Sequence, residues 1–157
     1  MTVVGRRAPI KAHRLGPGNV DGAMRALRAI HGRSASRTRI SEFLADPSRH
    51  LYVATAARTP VALAYGYELP RVKSDGVGFV LYEIDTLPEF RRRGAARALL
   101  AAMESACRAR GVDTVWLVTN VSNVAAMELY RAAGAVRPHG DDAMFRWKLG
   151  EPDADEA

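Results

Sequence analysis

Arg91-Arg92-Arg93-Gly94-Ala95-Ala96 lies between an apolar, strand-like run, Phe79 to Thr86, and a helix-like run, Ala95 to Arg110. Glycine and small residues suit a tight turn whose backbone a ligand must approach. The first N–H groups of the following helix have no intrahelical partner, and the helix dipole adds positive potential there. This arrangement favours a phosphate or pyrophosphate. A Walker-type loop and a G-x-G-x-x-G dinucleotide fingerprint are both absent. On its own, the segment also reads as a surface turn carrying solvated arginines.

A second feature precedes the loop. Glu83 and Asp85 alternate with Tyr82, Ile84 and Thr86, so strand periodicity predicts both carboxylates on one face. Charged groups in a central strand are costly unless paired or used. Such a pair can attract an ammonium group and accept its proton. Mutual repulsion favours protonation of one of the two. The alternative is a carboxylate facing an edge or paired with arginine. Further along, Asn123 and Tyr130 are seven residues apart, hence on one helical face. Their local readings are a helix cap and a core tyrosine beside Leu129.

Taken together, these segments resemble the GNAT N-acetyltransferase superfamily. Arg91-x-x-Gly94-x-Ala96 matches its Q/R-x-x-G-x-G/A signature, and Pro88-Glu89-Phe90 resembles its P-E-[YF] lead-in. Asn123-x-x-Ala126-x-x-Leu129-Tyr130, followed by Gly134, resembles its N-x-x-A-x-x-L-Y-x-x-x-G segment. The resemblance implies acetyl-coenzyme A as cosubstrate, with its pyrophosphate on Arg91, Arg92, Arg93, Gly94, Ala95 and Ala96. It also implies an Asn123 contact with the coenzyme arm and Tyr130 as general acid toward the leaving thiolate. The oxyanion donor it implies is the backbone N–H of Leu87. Glu83 and Asp85 become candidate bases, and Glu68, on the preceding strand, a third wall of the acceptor site.

Tyr67-Glu68-Leu69-Pro70 and Tyr82-Glu83-Ile84 are further similar to the Y-x-L-P and Y-D-L segments of GNAT-type aminoglycoside 3-N-acetyltransferases, with Glu83 in place of the aspartate. That likeness implies a small-molecule acceptor with several amines. Other small amines, polyamines and peptide amines remain open. So do two readings of another class, a coenzyme-binding module without transferase activity and a basic interaction protein. The first would release no coenzyme thiol in the presence of any amine. The second would show salt-sensitive nucleic-acid binding that acetyl-coenzyme A does not compete away.

The elements that must position these residues follow from pattern. Ile10 to Leu15 predicts a strand. Asn19 opens a helix with Val20, Met24, Leu27 and Ile30 on one face. Ile40, Phe43 and Leu44 suggest a short helix ending before Pro47. Leu51 to Ala57 and Val61 to Leu69 predict strands joined through Arg58-Thr59-Pro60. Strands are also expected at Val115 to Thr119, from Val136, and at Ala143 to Leu149, with a helix from Asn123 to near Gly134. The order β-α-α-β-β-β-α-β-α-β-β predicts a mixed α/β sheet with helices on its faces. We expect residues 10–149 to form one GNAT-like domain between flexible ends at 1–9 and 150–157.

The 157 residues are 48% hydrophobic, enough for one domain with a core. No stretch has the length of a membrane span, and the first residues lack a signal peptide's apolar centre, so a cytoplasmic location is expected. The lone cysteine, Cys107, excludes an internal disulfide and shares a core stripe with Leu99, Leu100 and Met103. The net charge of +6 comes almost wholly from scattered arginine, which argues against nucleic acid as partner. A homodimer is compatible with the sequence. His13, His31, His50 and His139 lack metal-ligand spacing, so no metal is expected and all four read as solvated or loop histidines.

Overall fold

The computed structural model describes residues 8–151. The flexible ends expected at 1–9 and 150–157 fall largely outside that range. Among the described residues nine strands and α-helices follow one another: β1 (Ile10–Arg14), α1 (Val20–His31), α2 (Arg37–Ala45), β2 (Arg49–Ala56), β3 (Thr59–Pro70), β4 (Val77–Thr86), α3 (Ala95–Ala109), β5 (Val112–Trp116) and α4 (Val124–Ala132). The sheet order is β1-β2-β3-β4-β5. Neighbouring strands are antiparallel except β4 and β5, which run parallel through the α3 crossover.

Both faces of the sheet are covered, which explains why β2 and β3 read as nearly unbroken apolar runs. Along β2, Leu51 and Val53 face α1 and α2, where they pack with Ala23, Ala26, Ile40, Leu44 and Leu63. Tyr52 and Ala54 face the other way, toward Leu99, Leu100, Met103 and Cys107 of α3. α3 owes its place to that apolar stripe, and its Glu104–Arg108 pair stands on the outer side at 3.4 Å. α4 is attached less deeply, through half-buried Leu129 and Tyr130 against the α3-side core.

Three departures from sequence expectation concern the elements themselves. The β2–β3 turn is Ala57-Arg58, not Arg58-Thr59-Pro60: Ala56 pairs with Thr59, and both turn residues have positive φ, 47° and 68°. The twist of a two-residue hairpin demands this conformation even from residues that do not favour it. The two strands expected beyond Val136 are not formed among the described residues. Alternation gives propensity, but a strand exists only where a partner accepts its ladder. Here Val136, Phe145, Trp147 and Leu149 stand in solvent. The fifth strand also lies earlier than expected, and its Val115 and Trp116 are exposed rather than buried.

Candidate active site

A register shift in β4 shapes the site. Tyr65 pairs with Glu83 but Gly66 pairs with Leu81, so Tyr82 is an extra residue in the ladder. This is a β-bulge, which re-aims side chains. Phe79 and Leu81 point into the α3-side core, and after the bulge Ile84 does too. Tyr82 and Glu83 both emerge on the opposite face. Tyr82 stacks on Tyr65 at 5.5 Å between ring centroids and meets Tyr67 edge-on at 5.9 Å. Strict alternation had placed Tyr82 opposite Glu83; the bulge corrects this. Gly66 is what permits it. A Cβ there would collide with the Val80 carbonyl oxygen and lie 2.5 Å from the Phe79 ring.

The resulting face combines charge with aromatic surface. Tyr65 donates its hydroxyl to Glu83 Oε2 at 2.8 Å. Burial pushes the Tyr65 hydroxyl pKa up, and the bond to Glu83 adds to this, so it stays a donor. Asp85 accepts from the Thr86 N–H at 2.8 Å. Phe43 of α2 packs edge-on against Tyr65 and Tyr67. Glu83 and Asp85 keep 39% and 46% of their side-chain surface open, so an incoming cation can reach both. As expected, the two carboxylates share a face.

His31 is the residue that sequence reasoning passed over. It closes α1, whose end is fixed by left-handed Gly32 at φ 76°. Its ring enters between the carboxylates, with Nε2 3.3 Å from Glu83 Oε1 and Nδ1 3.9 Å from Asp85 Oδ2. The His-Gly helix ending was legible. That the helix end abuts β4 was not.

Glu68 does not join this face. Its side chain is 8% exposed and held by Arg110, with the Nη2–Oε2 contact at 3.0 Å, and by His50 Nε2 at 2.8 Å. The bulge separates it from Glu83 in side as well as in distance along the strand. His50 is fully buried, not solvated, and its Nδ1 lies 2.6 Å from the Tyr52 hydroxyl. Burial dominates its titration and lowers its pKa below the usual histidine range, despite Glu68. The neutral ring therefore donates from Nε2 and accepts at Nδ1.

The end of β4 leads into a 3₁₀ turn, Pro88–Phe90, and then the arginine loop. Arg92 and Gly94 have positive φ, 58° and 85°. Together they turn the chain into α3, whose first internal bond here is Ala98 N–H to the Gly94 carbonyl at 2.9 Å. The earlier N–H groups thus point outward, and no atom lies within 4 Å of where a Gly94 Cβ would be. That open backbone, flanked by exposed Arg91 and Arg92, fits a pyrophosphate. Arg93 instead lays its guanidinium over the Phe90 ring at 4.6 Å, which braces the loop. The Leu87 N–H is already bonded to the Val61 carbonyl at 2.9 Å. It is committed to the sheet, which corrects the expectation of an oxyanion donor there.

On α4, Asn123 Oδ1 caps the helix by accepting from Ala126 N–H at 3.1 Å. Tyr130 packs, half-buried, against the α3-side core cluster. Burial raises its hydroxyl pKa, keeping the proton on oxygen. Cys107 is buried, and burial pushes its thiol pKa up to about 11. Among the described residues no His, Cys, Asp and Glu cluster could hold a metal ion, and no helix is long and apolar enough to cross a membrane.

Comparison with known proteins agrees with this architecture. The model of the acetyltransferase (GNAT) family matches residues 21–135, and the chain belongs to that family. The ribosomal protein bS18-alanine N-acetyltransferase of Salmonella typhimurium is 43% identical over 54 residues, 34% of this chain and 36% of that protein. The match thus spans about a third of that curated relative. Among solved structures, an aminoglycoside acetyltransferase from an uncultured soil metagenomic sample, in complex with sisomicin, superposes with a TM-score of 0.80 at 15% identity. That match covers 90% of this chain and 97% of the other. Aminoglycoside N-acetyltransferase AAC(6')-Iy in complex with CoA gives 0.72 at 17% identity, covering 94% and 100%. At such identities the structural likeness is one of fold.

Proposed function

We propose that this protein transfers an acetyl group from acetyl-coenzyme A to a small amine carrying more than one ammonium group, directly within a ternary complex. The observation that carries this reading is the β4 face, where Glu83 and Asp85 share one open side beside Tyr65 and Tyr82. Two carboxylates favour two cations, because a single ammonium leaves the other carboxylate unpaired in a partly dry cleft. The aromatic faces add attraction for a cation or for the apolar face of a ring.

Acetyl-coenzyme A, when bound, supplies an acetyl group activated as a thioester. The outward N–H groups of Ala95 and Ala96, with Arg91 and Arg92, would hold its pyrophosphate. Glu83 takes a proton from the incoming ammonium, so that the nitrogen reaches the acceptor position with its electron pair free. Tyr130, kept protonated by burial, would give a proton to the leaving thiolate. Cys107 does not carry the acyl group: it is the only cysteine, buried, and poor in thiolate.

The test is an amine panel with release of coenzyme thiol as readout. Aminoglycosides and linear polyamines should outpace simple amino acids. A second reading, transfer to a peptide α-amine, draws on the local identity to the bS18-alanine acetyltransferases. It wins if alanine-ended peptides are faster than every polyamine and aminoglycoside.

A further inference from the structure

Between α1 and β4, a histidine nitrogen and a carboxylate oxygen meet at contact distance. His31 Nε2 is shielded from solvent, has no hydrogen-bond partner among the described residues, and sits 3.3 Å from Glu83 Oε1. The other Glu83 oxygen, Oε2, is already satisfied by the Tyr65 hydroxyl. A neutral imidazole lone pair facing a carboxylate oxygen is repelled by it. A proton on Nε2 turns that repulsion into attraction across the 3.3 Å contact, which as placed is an ion-pair distance and not a hydrogen bond. On its far side His31 faces Asp85, with Nδ1 3.9 Å from Oδ2. The cluster therefore has a built place for one additional proton.

We propose that His31 is the proton-holding partner of the acceptor site and acts through Glu83 as a positioning residue. This rests on the acetyl-transfer reading above. The acceptor enters as R–NH3+. One N–H bond breaks, its electron pair stays on nitrogen, and the proton passes to Glu83 Oε1 and on to His31 Nε2. The imidazolium formed is held by Glu83 and Asp85. It returns the proton to solvent through the exposed fifth of its side chain, 21%.

The groups that face His31 are Glu83 and Asp85 from β4 and, through its bond to Glu83, Tyr65 from β3. Imidazole is the ordinary side chain that changes charge near neutrality. When His31 already carries a proton, it cannot take another, and it competes with the ammonium for both carboxylates. The rate should then fall as pH falls.

Two measurements on the full chain decide this. In the first, kcat/KM for the best amine of the panel is followed across roughly pH 5 to 8. Wild type should rise with pH through one ionisation. His31→Gln, which keeps polar contacts but cannot take the proton, should be flat there and slower by about tenfold or more at the upper end. The same pH profile in both proteins overturns the inference.

The second needs neither substrate nor activity, and so decides the matter even if His31→Gln fails to fold. The His31 ring is titrated by NMR in wild type, Glu83→Gln and Asp85→Asn. Its midpoint should fall by about half a pH unit or more when either carboxylate is neutralised. An unmoved midpoint in both variants overturns the coupling. If wild type acetylates no amine, the transfer reading fails separately, and the titration still reports on the proton site.

Discussion

The chemistry rests on a few side chains whose surroundings set their protonation. Tyr130 keeps its proton because burial disfavours the phenolate. If that proton goes to the leaving group, Tyr130→Phe should lower kcat by about 10²–10⁴-fold with coenzyme affinity unchanged. Pre-steady-state and calorimetric measurements together check this, and an unchanged chemical step would return Tyr130 to a packing role. Gly94 is constrained differently. Its φ of 85° disfavours any side chain, while the space beside it is open to a ligand. Gly94→Ala should therefore weaken coenzyme binding by about tenfold or more, equivalent to about 1.4 kcal/mol. Arg92→Ala, which removes one exposed charge, should cost less. Equal affinities for Gly94→Ala and wild type in calorimetry would remove the loop from coenzyme binding.

At the scale of elements, the β4 bulge is the device that brings the site together. It turns Tyr82 and Glu83 to one side and leaves Ile84 in the core. Its permission comes from the opposing strand, at Gly66, where backbone and ring leave no room for a methyl group. Gly66→Ala should destabilise the fold by about 1–3 kcal/mol, the usual range for overpacking. It should also impair acceptor turnover more than coenzyme binding, since β3 and β4 would have to separate beside Tyr65. Thermal melts and the KM split for the two substrates test this. A variant with wild-type stability and activity would show that the register does not depend on Gly66.

For the molecule as a whole, part of the arginine charge is spent internally. Arg37, Arg49, Arg71, Arg108 and Arg110 each pair with a carboxylate of the chain. These five charges are thereby held in local pairs. One such pair reaches the core, where Arg110 joins Glu68 and His50. Burial lowers the His50 pKa below its ordinary value. Burial alone would raise that of Glu68, but Arg110 and His50 bind the carboxylate and lower it overall. Both folded-state values are depressed, so the unfolded chain binds more protons in the affected range. The stability from His50 is present above about pH 6.5 and is lost as pH falls through its lowered folded value. Glu68 repeats this further into acid. Denaturation midpoints should decline below about pH 6.5, and His50→Gln should flatten the upper part of that decline. A wild-type midpoint unchanged through this window would contradict the assignment.

The sequence by itself determined the parts whose cause is local. The Arg91 to Ala96 loop, the Asn123 cap, the α3 stripe with Cys107 and the shared side of Glu83 and Asp85 all follow from short-range periodicity or backbone need. Most element boundaries follow from the same signals. What the tertiary structure decided depends on residues distant in the chain. Glu68 lies on the other face from Glu83 because of the bulged register between β3 and β4, and there Arg110 and buried His50 claim it. Tyr82 joined Glu83 because Gly66, on another strand, admits a bulge. The Leu87 N–H was taken by Val61 across the sheet. The expected strands beyond Val136 lacked a ladder to join. His31 met the carboxylates only because α1 ends against β4. Alternation and helical period assign sides within one element. Register, and the meeting of helix ends with strands, are set by packing between elements, which no single segment encodes.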